Sequence, residues 1–296
     1  MSAPSELFPG FASHWIDTRA GRIFARSHGS GPPLLLLHGF PQTHVMWHRV
    51  APALAEKFTV VLMDLRGYGW SDAPRSSGGA AYSKRVMGED VVTVMEALGH
   101  VRFRLAGHDR GGRVAYRLAL DHPGRIERLA LLDIMPTSEQ WRVIESDPAV
   151  APHWPWLARP EPQPESEIAR GPDAYFEGLL SKWSAAKSLR AFDARAVGQY
   201  RAAWGDPTRI HAFCEDYRAG ATLDRAADEA DLAAEKTLAM PVKIICGTDY
   251  LTQAEAPLQV WRRTFAPDAV GATLACGHFV AEEAGEAALA ELLNFL

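Results

Sequence analysis

The sequence predicts an α/β chain: a mostly parallel sheet with helices on both faces and a helical cap inserted between two strands. Three observations carry this. Short apolar, strand-like runs alternate with amphipathic helical patterns through the first half of the chain and again at its end. The alternation stops between about Pro136 and Leu238, where strand signals are few and the chain opens on Pro148, Pro152, Pro155, Pro160, Pro162 and Pro164. One strand–helix junction reads Gly107-His108-Asp109-Arg110-Gly111, the spacing of a sharp turn that lifts a nucleophile above a sheet edge. The predicted division is a core from residues 1–136 and 239–296, with a cap from 137–238.

The elements follow in order. Arg22-Arg26 is a short strand. Leu34-Leu37 is an uninterrupted apolar run, as expected of a strand covered on both faces. A helix near Val50-Lys57 leads to the strand Val60-Met63, and the helix Arg85-Leu98 leads to the strand Arg102-Ala106. Beyond the glycine-flanked turn, Val114, Ala115, Leu118 and Ala119 share one face of a helix over Gly112-Asp121. The strand Leu129-Ile134 closes the first half. Helices near Asp173-Ser184, Ala194-Trp204, Pro207-Ala221 and Asp224-Lys236 form the cap. The strand Val242-Cys246, a weaker one at Ala272-Ala275 and a helix over Glu282-Leu296 finish the chain. Open sheets of this kind bind ligands beyond the carboxyl ends of their strands, which is where such a cap would sit.

Composition narrows the function. The 296 residues carry a net charge of −5, which argues against a nucleic-acid partner. It also means that any anion site must be built locally. Cys214, Cys246 and Cys276 are odd in number and far apart, as in a reducing compartment without a disulfide framework. Met1-Gly10 has no basic segment followed by an apolar stretch, and apolar runs such as Leu34-Leu37 fall far short of a membrane span. A cytoplasmic protein with no membrane partner is expected.

The chemistry centres on Asp109. A serine at an elbow needs a base before it can attack, whereas a carboxylate is already anionic at neutral pH. It suits displacement at a saturated carbon, and the resulting ester must then be hydrolysed. The turn His38-Gly39-Phe40-Pro41 follows a strand, and its backbone N–H at Phe40, with that of Arg110, can stabilise an oxyanion. His278, in Cys276-Gly277-His278-Phe279, follows the last strand and can activate water against the ester. Two acids can orient it: Asp133 at the end of one strand, and Asp249 in Gly247-Thr248-Asp249 after another. Arg110 and Arg113 put two permanent cations beside the nucleophile, which makes sense if the substrate carries its own carboxylate. In the cap, His153, Trp154 and Tyr217 offer neutral donors for a departing halide. His38, His44 and His48 are spaced like metal ligands but lack a supporting acid or cysteine cluster, so no metal site is expected.

Together with Asp64-Leu65-Arg66-Gly67-Tyr68-Gly69-Trp70-Ser71, these residues resemble the α/β-hydrolase superfamily, in the branch shared by haloalkane dehalogenases and epoxide hydrolases. Asp109-Arg110-Gly111-Gly112-Arg113 with His153-Trp154 and Tyr217 resembles the haloacetate dehalogenases, most closely the fluoroacetate dehalogenases, over nearly the whole chain. The resemblance implies the α/β-hydrolase fold and a small anionic 2-haloacid as substrate. It implies Asp109 as nucleophile, His278 as base and Asp133 as its acid. It further implies Arg110 and Arg113 on the substrate carboxylate, His153, Trp154 and Tyr217 on the halogen, a homodimer and no cofactor. Haloalkane dehalogenases tend to carry Trp where this chain has Arg110. Epoxide hydrolases use two cap tyrosines, of which Tyr217 is one candidate without an evident partner. Serine esterases are excluded by Asp109. An epoxide hydrolase and a non-catalytic ligand-binding homologue are the alternatives. Asp249, at the usual acid position of this fold, leaves the choice of acid open.

Overall fold

The computed structural model of the protein describes residues 7–251 and 255–296. Its strands are β1 (Ala12–Thr18), β2 (Gly21–His28), β3 (Pro33–Leu37), β4 (Thr59–Met63), β5 (Phe103–His108), β6 (Ile126–Leu132), β7 (Val242–Gly247) and β8 (Val270–Leu274). They form one sheet in the order β1-β2-β4-β3-β5-β6-β7-β8. β2 pairs antiparallel with β1 and β4, and every other pairing is parallel. Leu34 to Leu37 are fully buried in β3, between β4 and β5, which explains why that run needs no polar alternation. β1 is absent from the sequence-based expectation. It is an edge strand with a partly exposed face, and its mixture of His14, Trp15, Ile16 and Asp17 gives little periodic signal.

The helices α1 (Ala51–Leu54), α2 (Lys84–Ala97) and α3 (Asp109–Asp121) connect strands of the first half. Between β6 and β7 the chain runs through α4 (Thr137–Ser146), α5 (His153–Leu157), α6 (Gln163–Ile168), α7 (Pro172–Trp183), α8 (Ala194–Trp204), α9 (Pro207–Ala219) and α10 (Arg225–Ala233), with a π-helical turn at Gly220–Asp224. Then α11 (Pro257–Arg263) precedes β8, and α12 (Val280–Glu283) and α13 (Gly285–Phe295) close the chain. The expected final helix is thus broken, at Ala284, whose φ of −125° is not helical. The proline-rich segment contains helices that the sequence reading passed over. Pro152 and Pro162 sit at the N-caps of α5 and α6, and Pro164 lies in the first turn of α6. There a missing N–H costs nothing and the fixed φ favours the helix.

Buried polar contacts tie this insertion to the sheet. Asp216 of α9 takes Arg110, Lys84 and the Tyr68 hydroxyl (2.8 Å), and Asp228 of α10 takes the Tyr116 hydroxyl at 2.9 Å. Removing one member of such a group strands a buried charge, which typically costs about 3–5 kcal/mol. The helices are therefore held at a fixed height above the strand ends.

Candidate active site

β5 and α3 meet without a loop. The strand ends at His108 and the helix begins at Asp109, three residues earlier than the glycine-containing sequence suggests. The whole reversal is absorbed by Asp109, whose φ is +44°. A left-handed conformation at a non-glycine residue costs of order 1–3 kcal/mol and needs the surroundings to hold it. They do so by close packing: a Cβ on Gly107 would come within 2.6 Å of the Gly111 carbonyl oxygen and 2.7 Å of Gly112 Cα. On the other side, a Cβ on Gly39 would meet Asp109 Cβ at 2.5 Å. That close approach lets the Phe40 N–H donate to Asp109 Oδ1 at 2.9 Å.

The second oxygen, Oδ2, faces His278 Nε2 at 3.8 Å. His278 Nδ1 lies 2.6 Å from Asp133 Oδ2, and Asp133 Oδ1 accepts the Gly247 N–H at 3.1 Å. Asp133 also has a positive φ, +52°, immediately after β6. Asp249 is exposed, and its backbone N–H donates to the Cys276 carbonyl. The structure therefore brings Asp133, and not Asp249, to the imidazole. The His278 carbonyl accepts from His108 Nε2 at 2.8 Å, and the Tyr250 ring packs 4.2 Å from the imidazole. His108 is fully buried, which depresses its pKa to about 3 and keeps it a neutral donor.

Electrostatics keep Asp109 ionised. Burial pushes the Asp109 carboxyl up, but His278, Arg110, His108 and Arg113 together outweigh it and hold the pKa at about 2. Asp133 moves the other way: burial raises its pKa against the bond from His278.

The two arginines are placed differently. Arg113 lines a cavity of about 20 Å³ together with Asp109, Asp133, Trp154 and His278. Its Nη1 donates to the Met135 carbonyl and to Thr137 Oγ1, both at 3.1 Å, and its guanidinium lies 4.4 Å from the Trp154 ring. Arg110 is outside that lining. It is fully buried and bound to Asp216 through Nε (3.0 Å) and Nη2, while Nη1 has no hydrogen-bond partner among the described residues. Burial lowers the Arg110 pKa, but Asp216 beside it more than reverses this.

His153, Trp154 and Tyr217 are gathered in one place. Tyr217 lies 5.9 Å from His153 and 5.8 Å from Trp154, ring to ring, and under the Arg110 guanidinium at 4.4 Å. Among the described residues the Tyr217 hydroxyl, the Trp154 N–H and the His153 ring nitrogens have no hydrogen-bond partner. Although His153 is half-buried as a residue, its imidazole packs 4.5 Å from Trp183. Desolvation lowers its pKa to about 3. Of the three, Trp154 reaches the cavity lining.

Sequence reasoning missed Tyr250 and Gln140, which also line the cavity. Tyr250 follows Gly247-Thr248-Asp249, a segment that the sequence offers as a possible acid position through Asp249 alone. Gln140 lies on α4, a helix that the sequence reading did not anticipate. Tyr250 and Val150 also border a larger outer pocket of about 530 Å³, which gives the site a solvent-side approach. Of the histidines spaced like metal ligands, His38 and His44 both approach Asp64 Oδ1, at 3.7 and 2.9 Å, and His48 does not. His44 pairs with Asp64 at 2.9 Å, His38 accepts the Leu65 N–H at 3.0 Å, and His48 bonds to the Val45 carbonyl. Among the described residues Glu161, Glu165 and His211 bring ligand atoms within 4.8 Å of one another, but Arg75 and Arg218 already pair with those carboxylates.

Several known proteins resemble this chain over most of its length. The family model described as alpha/beta hydrolase fold matches residues 32–284. A fluoroacetate dehalogenase from Burkholderia sp is 42% identical over 278 residues, covering 92% of this chain and 90% of the relative. A soluble epoxide hydrolase from Corynebacterium sp. is 31% identical, covering 98% and 95%. Among solved structures, a putative alpha/beta hydrolase from Nostoc sp PCC 7120 superimposes with a TM-score of 0.92 at 45% identity, covering 96% of this chain and 97% of that one.

Proposed function

This chain belongs to the α/β-hydrolase fold family, and on that premise we propose that it hydrolyses the carbon–halogen bond of small 2-haloacids, fluoroacetate among them, through a covalent ester on Asp109. The observation that carries the reading is the joint presence, in one small cavity, of an ionised Asp109, the His278–Asp133 pair and the Arg113 guanidinium. A cation in the cavity favours a substrate with its own carboxylate, and the limited space favours a small one.

The chemistry proceeds in two steps. Arg113, aided by the unpartnered Nη1 of Arg110, holds the substrate carboxylate. Asp109 Oδ2 attacks the halogen-bearing carbon from behind; a carbon–oxygen bond forms, and the halide leaves with the bonding pair. His153, Trp154 and Tyr217 meet the departing halide. Each hydrogen bond to a charged group contributes roughly 1.5–3 kcal/mol, which is decisive for fluoride if it is gained only in the transition state. His278 Nε2 then takes a proton from water, which attacks Asp109 Cγ. Oδ1, already facing the Phe40 N–H, becomes the oxyanion. Collapse breaks the Cγ–Oδ2 bond, the 2-hydroxyacid leaves with a proton returned from His278, and the Asp109 carboxyl, now holding the oxygen of water, releases that water's second proton and is ionised again. The hydroxyl oxygen of the first product therefore comes from Asp109. The enzyme is proposed to work in the cytoplasm, and, as the sequence resemblance implies, as a homodimer without a cofactor.

A halide-release assay over fluoroacetate, chloroacetate and a neutral epoxide tests the reading. Halide release from the haloacetates supports it. Turnover of the epoxide alone would favour an epoxide hydrolase, for which the 31% identical relative and the presence of Tyr250 near His278 speak. Binding without turnover of either class would make the chain a ligand-binding homologue.

A further inference from the structure

A chain of buried hydrogen bonds leaves Arg113 and ends on a carboxylate that the reaction does not use. Arg113 Nη1 donates to Thr137 Oγ1 at 3.1 Å. Thr137 Oγ1 lies 2.8 Å from the Tyr116 hydroxyl, which lies 2.9 Å from Asp228 Oδ2. The Thr137 N–H donates to the Tyr116 oxygen at 3.0 Å, and the Ser138 N–H donates to Asp228 Oδ2 at 3.1 Å. Each of the four side chains is at most 2% exposed. The relay joins α3, which carries the nucleophile, to α4 and α10, the first and last helices of the insertion.

The two ends fix the order of the protons. Arginine can only donate, and an ionised carboxylate can only accept. With Asp228 charged, the Tyr116 proton points to Asp228, the Thr137 proton points to Tyr116, and Thr137 Oγ1 is free to receive Arg113. With Asp228 protonated, its own proton can turn to the Tyr116 oxygen. The Tyr116 proton then turns to Thr137 Oγ1, and the Thr137 proton, which has lost its acceptor, must turn away and so changes the direction from which Oγ1 accepts Arg113.

We propose that Asp228 is a positioning residue for substrate binding: acting through Tyr116 and Thr137, its carboxylate holds Arg113 in the orientation that grips an anionic substrate, and protonating it loosens that grip. The proposal rests on the reading of Arg113 as the group that binds the substrate carboxylate. Burial pushes the Asp228 carboxyl up to about 6, opposed by the Ser138 N–H, the Tyr116 hydroxyl and the Arg117 guanidinium, and assisted by Asp224. These are the charged and polar groups that face it from α3, α4 and the turn preceding α10. Arg117 is engaged by Asp121 and Asp231, so it is not a free counter-charge for Asp228. The switch therefore lies in the mildly acidic range.

The test measures binding of glycolate, a carboxylate without a leaving group, by calorimetry at about pH 7.5 and about pH 5. The parent, Asp228→Asn and Thr137→Val proteins are compared, with unfolding temperatures recorded in parallel. Other site groups, His278 above all, titrate in every protein, so the difference between parent and variants isolates the relay. At the higher pH both variants should bind glycolate about tenfold more weakly than the parent. The parent's advantage should vanish at the lower pH. Thr137→Val keeps Asp228 intact, so it separates loss of the relay from any fault in folding around residue 228. Equal affinities at the higher pH, a parent advantage that persists at the lower pH, or no glycolate binding by the parent would each overturn the proposal. Halide release by the parent is measured separately. Its absence would remove the dehalogenase reading while leaving the relay result standing.

Discussion

Asp109 carries two constraints at once: a left-handed backbone and a buried charge. The charge is held by neighbours that pull its pKa to about 2, so acid loss of activity well above that value must come from other groups. Attack needs only this ionised carboxylate, whereas release of the ester needs a base. His278→Ala should therefore become alkylated by chloroacetate and stop there. Intact-mass measurement should find one stable adduct, on the peptide that contains Asp109, and multiple turnover by the variant would contradict the assignment. The acid is separable in the same way. Asp133→Asn should slow ester hydrolysis by about 10²-fold or more and accumulate the adduct. Asp249→Asn, an exposed change, should stay near wild type. The arginines divide by environment. Arg113→Ala should raise KM for haloacetate by about tenfold or more with the fold retained. Arg110→Ala removes one of the two buried cations that pair with Asp216 and should lower the unfolding temperature as well as activity.

At the level of elements, the loops that carry His278 and Phe40 are braced from behind by a buried group. Glu282 of α12, four residues after His278, receives a hydrogen bond from Gln42 Nε2, and Gln42 Nε2 also lies 3.3 Å from the Tyr200 hydroxyl of α8. Arg49 donates to the Glu282 carbonyl. Burial pushes the Glu282 carboxyl up to about 8, outweighing Tyr200, Arg49 and Gln42. A carboxyl whose folded pKa lies above its unfolded one contributes stability that is complete below the unfolded value and lost as pH rises through the folded one. Glu282→Gln removes that dependence. Between about pH 5 and about pH 9, the unfolding temperature of the parent should fall by several degrees relative to that of the variant. A constant difference across that window would show that Glu282 is not the group responsible.

Across the whole molecule, the net charge of −5 opposes the approach of an anion, so preference for one has to come from the cavity. Replacing chloroacetate by chloroacetamide keeps size and leaving group and removes the charge. Turnover should fall by about tenfold or more if Arg113 makes even one charge-assisted bond to the substrate. Equal rates on acid and amide would take away the reason for a cation in the site. No helix among the described residues is long and apolar enough to cross a membrane.

The sequence by itself determined the layered architecture, because strand burial and helix amphipathicity are local periodicities written along the chain. It also located the turn that presents Asp109, because a glycine-flanked carboxylate at a strand–helix junction is a local signal as well. The edge strand β1, the proline-started helices α5 and α6 and the break before α13 escaped it, since exposure, N-terminal proline and a single non-helical φ leave weak periodic traces. The pairing of His278 with Asp133 was beyond its reach on residues alone. Asp133 and Asp249 both follow strands, and only the lateral order β6-β7-β8 decides which of them faces the imidazole. The same holds for Arg110 and Arg113. One helical turn apart on α3, they read as a matched pair, yet Asp216, arriving from α9 over a hundred residues later, engages one and leaves the other facing the cavity. Contacts between residues distant in the chain are set by how the layers stack, and that stacking exists only in three dimensions.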